Sequence, residues 1–551
     1  FGSWSERIAH PPTHLPDIFA MALPATNNTL LTSAASVDSG AFKADAPGET
    51  ASTTVDQAEK PNARTQVVED AREPSYLLQG LLCAVASLEG ADTQLLGASM
   101  KALQEDIGMA LMDISYMTVS QMVLANLAAP FWGILADRGI LKRRTILLVG
   151  ALGQGVVTIL LAFVTDILPM VFLRALNGAL LAALRPISNG IVADLTGDSK
   201  RGKIFGRIQS ALLLGMFVTT MTVVPMATEI VMGFQGWRVA FVIVGLVSVV
   251  VSVLVTAFMQ EPPRAEVCDS ASSGQGGCAA VASEIGSLLR FFRMPTFCVM
   301  IMQGIFGTIP WTVMGYMTLF FQLSGMKNGL VAILTGMGPI TGAAGNILGG
   351  LVADHLAGRF HLHGRPLSAQ LTVAFGIPLI YIIFMGVPVG DGAFGVYLAL
   401  NIAFGLLGSW AQSGTNFPIL SHIVPSEARS RIMAWEGALE NSVANAVGPF
   451  VVSLLAEKAF GYKFGSHDGN EKDIPSAEAL GKAMAATICI PWMVCFCAYT
   501  LLHWSYPRDV RRLEHDAQRK TAKGVDPQVV VSSNGGAGVA DIGEASNGVS
   551  V

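Results

Sequence analysis

Long apolar runs separated by short polar breaks set the pattern of this chain. Twelve of them approach the roughly 20 residues that a bilayer-crossing helix needs, near 74–98, 114–136, 145–165, 167–193, 208–228, 239–259, 295–319, 328–353, 367–389, 393–420, 432–456 and 483–506. The pattern also repeats. Gly133-Ile134-Leu135-Ala136-Asp137 returns 217 positions later as Gly350-Leu351-Val352-Ala353-Asp354, each time at the end of an apolar span and ahead of basic residues. The stretch from Asp198 through Lys200, Arg201 and Lys203 to Ile204 is paralleled by that from Ser426 through Arg429 and Arg431 to Ile432, with Arg201 and Arg429 offset by 228. The expected fold is an all-α membrane protein with twelve transmembrane helices in two six-helix bundles related by pseudo-two-fold symmetry.

Composition agrees with a bilayer setting. Apolar residues make up 52% of the chain and charged ones only 14%, and the mean hydropathy is +0.51, unlike a soluble chain with a polar skin. Charge bears on orientation instead. Loops after even-numbered spans carry Arg138, Lys142, Arg143 and Arg144, then Lys200, Arg201, Lys203 and Arg207, then Arg264, Arg290 and Arg293, then Arg359 and Arg365, whereas the opposite loops are poor in base. Basic loops are retained in the cytoplasm during insertion, so both termini are expected there. The net charge of −5 sits mainly in tails and loops and points to no nucleic-acid partner.

The span pattern divides the chain into a Ser/Thr/Ala/Pro-rich N-terminal tail over 1–73, expected to be disordered, a first bundle over 74–259, a cytoplasmic linker over 260–294, a second bundle over 295–506 and a low-complexity C-terminal tail over 507–551. The first residue is not Met, which suggests a fragment or a processed chain. The linker ends in an amphipathic piece around Ile285, Leu288, Leu289 and Phe292, read as a surface helix. Of seven cysteines, Cys83, Cys298, Cys489, Cys495 and Cys497 fall in spans and Cys268 and Cys278 in the linker. That pattern makes neither a disulfide nor a metal framework, and no cofactor is called for.

Gly133 to Arg144, between the second and third spans, resembles the loop signature of the major facilitator superfamily: a small-residue helix end, then Asp, then a basic cluster. The match holds at Gly133, Asp137, Arg138, Lys142 and Arg143, and departs from the family at Ile140, where Gly is usual. The second copy is weaker, keeping Gly350, Asp354 and Arg359 but placing His355 at a basic position. Arg174-Ala175-Leu176-Asn177-Gly178 is similar to the superfamily's Arg-x-x-x-Gly signature on the fourth helix, and the neighbouring acids loosely resemble the spinster-like carriers. The resemblance covers about residues 74–506 and implies a six-plus-six secondary carrier. It also implies a conformational latch in which Arg138, Arg143 and Asp194 complete a cytoplasmic charge cluster. Independently of that likeness, a carboxylate such as Asp137 is stabilised beside a helix opening, here the start of the eleventh span, in one conformation only; Glu436 near that mouth is grouped with the latch. The plainer alternative is that these charges only fix topology.

Ionisable side chains inside spans are sharper markers, since each costs at least roughly 2.5 kcal/mol near the bilayer centre. Glu89 and Asp92 lie three residues apart on the first span, hence on one helical face, and Arg174 and Arg185 lie on the fourth. In the superfamily arrangement both spans line the central cavity. A carboxylate held between desolvation and an opposite charge can load and release a proton. Glu89 is the first choice for coupling, Asp92 the second, with Arg174 as switchable partner. Static ion pairing is the alternative, and Arg185, just before Pro186, is also placed to serve carbonyls freed at a bend.

The seventh and tenth spans carry no charge but hold Gln303, Trp311, Tyr316, Asn401, Trp410, Gln412 and Asn416, a set of aromatic plates and amides suited to one wall of a substrate cavity. Interfacial anchoring and interhelical hydrogen bonding explain such residues equally well one at a time. Glu440, one turn beyond Glu436, lies deeper on the eleventh span.

The sequence thus predicts a monomeric, multi-pass secondary transporter of a small organic solute that works by alternating access. Proton symport is the first choice, ahead of uniport or antiport. The competing class is a transporter-shaped sensor or scaffold that binds solute without moving it. An enzyme is excluded for want of a phosphate-binding loop, metal-ligand spacing or nucleophile elbow.

Overall fold

The computed structural model describes residues 75–137, 140–196, 198–260, 289–388, 390–465 and 473–522. The tail over 1–73, most of the linker with Ile285 and Leu288, the latch residue Arg138 and the end of the C-terminal tail lie outside the described residues, as does the side chain of Asp137.

The described chain is helical but for one two-residue hairpin, β1 (Ile230–Val231) with β2 (Phe234–Gln235). Helix α1 (Tyr76–Ile107) begins at Ser75, whose hydroxyl accepts from Leu78 N, and stops at Gly108, where φ is +75°. Only glycine enters that left-handed region without strain, so the chain can turn at once into α2 (Leu111–Asp137). Next come α3 (Arg143–Leu161), α4 (Ile167–Leu181), α5 (Leu184–Leu195), α6 (Asp198–Met226) and α7 (Gly236–Phe258). After the linker follow α8 (Pro295–Val313), α9 (Met317–Leu323), α10 (Asn328–Arg359), α11 (Gly364–Tyr381), α12 (Phe394–Leu407), α13 (Phe417–Ile423), α14 (Ser426–Leu454) and α15 (Ile474–Ala522).

Among the described residues, eleven helical segments are long and apolar enough to cross a membrane. The first expected span, α1, is not among them: Glu89, Asp92 and Gln94 interrupt its apolar run. Several expected spans are split. The fourth is α4 and α5, broken at Ala182–Ala183, so that Pro186 falls in the first turn of α5, where a missing amide proton costs nothing. The tenth is α12 and α13, joined by a π turn over Gln412–Asn416. The last span outruns its expected limits, because α15 continues to Ala522. Asp509 on that extension is buried and accepts from Thr296 N at 2.9 Å, capping the start of α8.

Close backbone contact organises the packing. A side chain at Gly90 or Gly215 would strike the Leu212 or Ser87 carbonyl, so α1 and α6 touch backbone to backbone, and Ser87 donates to Ala211 O at 2.9 Å. α3 packs on α7 and α4, α8 on α15 and α14, and α10 on α12 and α11. α2 meets α14, α6 meets α10, and α1 meets α9, joining the first half of the chain to the second.

Candidate functional site

Four helices of the first half converge on Asp92, which is 0% exposed. Gln121 of α2 donates to its Oδ2 at 2.8 Å, and Asn177 of α4 and Gln154 of α3 donate to Oδ1 at 3.1 and 3.2 Å. Thr158 Oγ1 completes the set at 3.4 Å. Arg174 Nη1 stands 3.9 Å from Asp92 Oδ2, and Arg174 Nη2 donates to Gln121 Oε1 at 2.5 Å. A buried carboxylate with this many donors, beside a buried guanidinium, is the arrangement that makes such burial tolerable.

Gly178 explains why the arginine signature ends in glycine. Any side chain there would strike the Gln121 backbone, so α4 and α2 approach closely enough for Asn177 and Arg174 to reach Gln121 and Asp92.

Glu89 has a different partner from the expected one. Arg185 Nη2 lies 2.6 Å from Glu89 Oε1, while Arg174 belongs to Asp92. The antiparallel run of the helices is the cause: α1 climbs from the end that bears the basic loops while α4 and α5 descend toward it, so the lower number on α1 meets the higher on the fourth span. Arg185 serves a carboxylate rather than freed carbonyls. Its side chain is 60% exposed against 14% for Glu89. The pair borders a cavity of about 340 Å³ also lined by Asn189, Phe205, Gln209 and Leu212.

In the second half the predicted cavity residues separate. Cys495 and Tyr499 stand one turn apart on α15 and hold one each: Cys495 Sγ donates to Gln303 O at 3.5 Å, and the Tyr499 hydroxyl donates to Asn416 Oδ1 at 3.1 Å. Asn416 Nδ2 in turn donates to Gln412 Oε1 at 3.2 Å within the π turn, a distortion often found at functional sites. Glu440 lies over Gly304, where a side chain would collide with its carboxylate, and Glu436 and Glu440 are both buried. Gln303 and Asn416 are thus held on one stretch of α15, with Gln412 bonded to Asn416 and Glu440 against Gly304, the residue after Gln303. Trp311 belongs to an aromatic group with Phe404 and Trp492, at centroid distances of 5.8 and 6.3 Å. Asn401 bonds the Tyr397 carbonyl of its own helix at 2.8 Å and Trp410 that of Leu406 at 2.5 Å, while the Trp410 ring packs on Gly349.

Tyr316 lies elsewhere, at the junction of the two halves. Its hydroxyl is 2.8 Å from Ser115 Oγ, which also donates to Pro449 O at 2.8 Å and contacts Ser453 Oγ. Nearby, Met112 N donates to Glu457 Oε1 at 2.9 Å, Tyr462 to Gln104 Oε1 at 2.8 Å and Asn328 to Thr228 Oγ1 at 3.1 Å. Burial pushes the Tyr462 phenol above its usual range against the opposing Gln104 hydrogen bond, so it remains a donor. These bonds between the halves all lie at the end away from the basic loops.

Among the described residues at the basic end, Arg143, Asp194 and Asp354 each have an ion-pair partner in their own half. Arg143 binds Asp194 at 2.5 Å, and Lys142 stands at the N-cap of α3. Asp354 binds Arg365 at 3.0 Å, and Arg365 donates to Gly414 O at 2.9 Å. Among the described residues, a side-chain β-carbon at Gly133 or Gly350 would meet no atom of a neighbouring element within 4 Å. Glu436, also grouped with the latch, is buried at 4% exposure.

The sequence reading missed Gln121, Gln154, Thr158 and Asn177. Their signal was partial: each is a hydrogen-bonding residue inside a span, but the second span also holds Ser115, Thr118, Ser120 and Asn126 and the fourth Ser188 and Asn189, so polarity alone does not single them out.

Residues 82–463 match the family model described as Major Facilitator Superfamily, and the chain belongs to that superfamily, whose members here are transporters and not enzymes. The chain is 25% identical to the multidrug resistance protein MdtG of Proteus mirabilis over 61% of its own length and 76% of that protein. It is 27% identical to an MFS-type efflux pump of Mycolicibacterium smegmatis over 50% of its length and 58% of the pump. Its fold is similar to the crystal structure of a bacterial homolog to the human lysosomal transporter Spinster in an inward-facing and occupied conformation, with a TM-score of 0.64 at 16% identity, covering 81% of this chain and 98% of that one.

Proposed function

We propose that this protein is a proton-coupled secondary transporter of a small organic solute. It works by alternating access between two six-helix bundles, 74–259 and 295–506, with α1 as the first of twelve spans and both termini in the cytoplasm. The observation that carries the reading is the Glu89–Arg185 pair on the wall of a cavity of about 340 Å³, while bonds between the halves gather at the opposite end. Protons enter at Glu89, which can leave Arg185 when protonated. The Asp92–Arg174 network behind it fixes α1, α2, α3 and α4 as one body. Gln303, Gln412, Asn416 and Glu440 supply the facing wall. Arg143, Asp194, Asp137 and Arg138 latch the basic end when it closes. The names of the two curated relatives, a multidrug resistance protein and an efflux pump, favour outward movement of solute, so antiport takes precedence over the symport expected from sequence.

The test is reconstitution of the full chain in proteoliposomes, after a thermal-shift screen of small organic solutes on the purified protein. The expected result is solute movement driven by an imposed pH gradient, with Glu89→Gln losing that drive but keeping solute exchange. Binding without movement would make the chain a sensor, and movement indifferent to the gradient in both proteins would end the coupling role of Glu89.

A further inference from the structure

The cavity of about 340 Å³ beside Glu89 is walled by one face each of three helices. Ala86 and Glu89 stand one turn apart on α1, and Arg185, Ser188 and Asn189 share a face of α5. On α6 the face is Phe205, Ile208, Gln209 and Leu212, again at helical spacing.

The hydrogen-bonding groups of this wall are uncommitted. Ser188 is 3% exposed, yet its hydroxyl has no hydrogen-bond partner. A buried hydroxyl left unpaired is unfavourable, so the wall is completed by whatever the cavity holds. The side chains of Asn189 and Gln209 are exposed and make no hydrogen bond among the described residues.

The charges of the wall cancel. Glu89 and Arg185 are the charged side chains of the lining, in contact at 2.6 Å. The Arg185 side chain is 60% exposed, which keeps part of its fork of donors toward water. Neighbouring charges are engaged elsewhere: Arg207 donates to Gln79 Oε1 at 2.5 Å, and Asp92 lies beside Arg174. An anion entering here would meet the Glu89 carboxylate, and a cation would meet the Arg185 guanidinium. A solute bearing both charges answers each with its opposite. Because Glu89 and Arg185 touch, the two charges of the solute must also be close together, as on a single carbon.

We infer that the cavity is a binding site for an α-amino acid with an apolar side chain. Its carboxylate goes to Arg185 and its ammonium to Glu89. Ser188, Asn189 and Gln209 supply the remaining hydrogen bonds to these ends, and the side chain lies against Ala86, Phe205, Ile208 and Leu212. Size agrees, since 340 Å³ is the volume of about 11 water molecules, close to the number of non-hydrogen atoms in phenylalanine. The assignment deepens the transport reading and rests on this cavity being the solute site, but the two can fail separately.

The test is binding of radiolabelled phenylalanine to the purified full chain, competed by unlabelled leucine, by phenylalaninamide, which keeps only the ammonium, and by N-acetylphenylalanine, which keeps only the carboxylate. Saturable binding is expected, displaced by leucine and by either analogue only at concentrations at least about 10-fold higher. Ser188→Ala should bind phenylalanine roughly 3- to 10-fold more weakly while melting no lower than the parent without solute. Arg185→Gln should lose the preference for phenylalanine over phenylalaninamide, a change that a purely structural arginine would not produce. Should Arg185→Gln not fold, the analogue series and Ser188→Ala decide. Absence of saturable binding, or equal competition by both single-charge analogues in the parent, overturns the proposal. Binding with this selectivity but no movement of phenylalanine in proteoliposomes would keep the amino-acid site and end the transport reading, whereas gradient-driven movement of another solute with no phenylalanine binding would do the reverse.

Discussion

Two carboxylates three residues apart on one helix have opposite surroundings, and the difference decides what each can do. Asp92 accepts from three amides and a hydroxyl and balances a buried guanidinium. Glu89 has one exposed arginine and a cavity. Asp92→Asn would set amide protons against the donors already aimed at that position and leave Arg174 without its counter-charge. Breaking a buried pair in this way costs about 3–5 kcal/mol, so the variant should show a clearly lower unfolding midpoint and yield. Glu89→Gln, at the cavity wall, should unfold close to the parent. A thermal melt of both purified variants checks the contrast; an unchanged Asp92→Asn would mean that the network does not hold the first half together.

At the scale of elements, the small residues are where helices meet. Gly178→Val should force α4 away from α2, since the Gln121 backbone occupies the space any side chain would need. Overpacking of this kind costs about 1–3 kcal/mol and here would also pull Asn177 from Asp92, which a melt and the loss of a single detergent-extracted peak on size exclusion would register. Much of this level was legible in the sequence. Apolar length located eleven of the twelve expected spans, and the acids and arginines on α1 and the fourth span lie together in the first half. The partner choice was not, because it depends on the opposed running directions of α1 and α4 and on the break at Ala182–Ala183, and neither enters a residue-by-residue reading. The amides of Gln121, Gln154 and Asn177 escaped for a related reason: a lone amide in an apolar span says that a partner exists without saying which. Tyr316 shows the converse limit, a residue read as part of the substrate-cavity wall but placed by the fold at the junction between halves. The extension of α15 to Ala522 was hidden because its polar composition resembles a tail until Asp509 is seen to cap α8.

At the scale of the whole molecule, the bonds between halves gather at one end, and their strength sets how readily that end can part. Each neutral hydrogen bond contributes about 0.5–1.5 kcal/mol net, so a junction built on Ser115, Tyr316, Gln104, Tyr462 and Asn328 is firm but reversible, as the proposed alternating access requires. Ser115→Ala removes the hub that joins Tyr316, the Pro449 carbonyl and Ser453, and should shift the balance toward separation at this end by roughly 2- to 10-fold. Labelling of a cysteine placed at Ser453 would report the shift as faster modification.

The stronger test fixes the gate instead of loosening it. Ser115 and Ser453 face each other across α2 and α14 with their hydroxyls in contact, a spacing within reach of a disulfide. In the double variant Ser115→Cys with Ser453→Cys, oxidation should cross-link the halves and halt solute movement in proteoliposomes, and reduction should restore it. Among the described residues the native cysteines Cys83, Cys298, Cys489 and Cys497 are not buried and Cys495 is, and Cys268 and Cys278 are further thiols in the chain, so the single variants are the controls for adventitious cross-linking. Transport that continues at full rate after cross-linking would mean that this end never opens, and the rocking of one half against the other would have to be abandoned for a path through a single bundle.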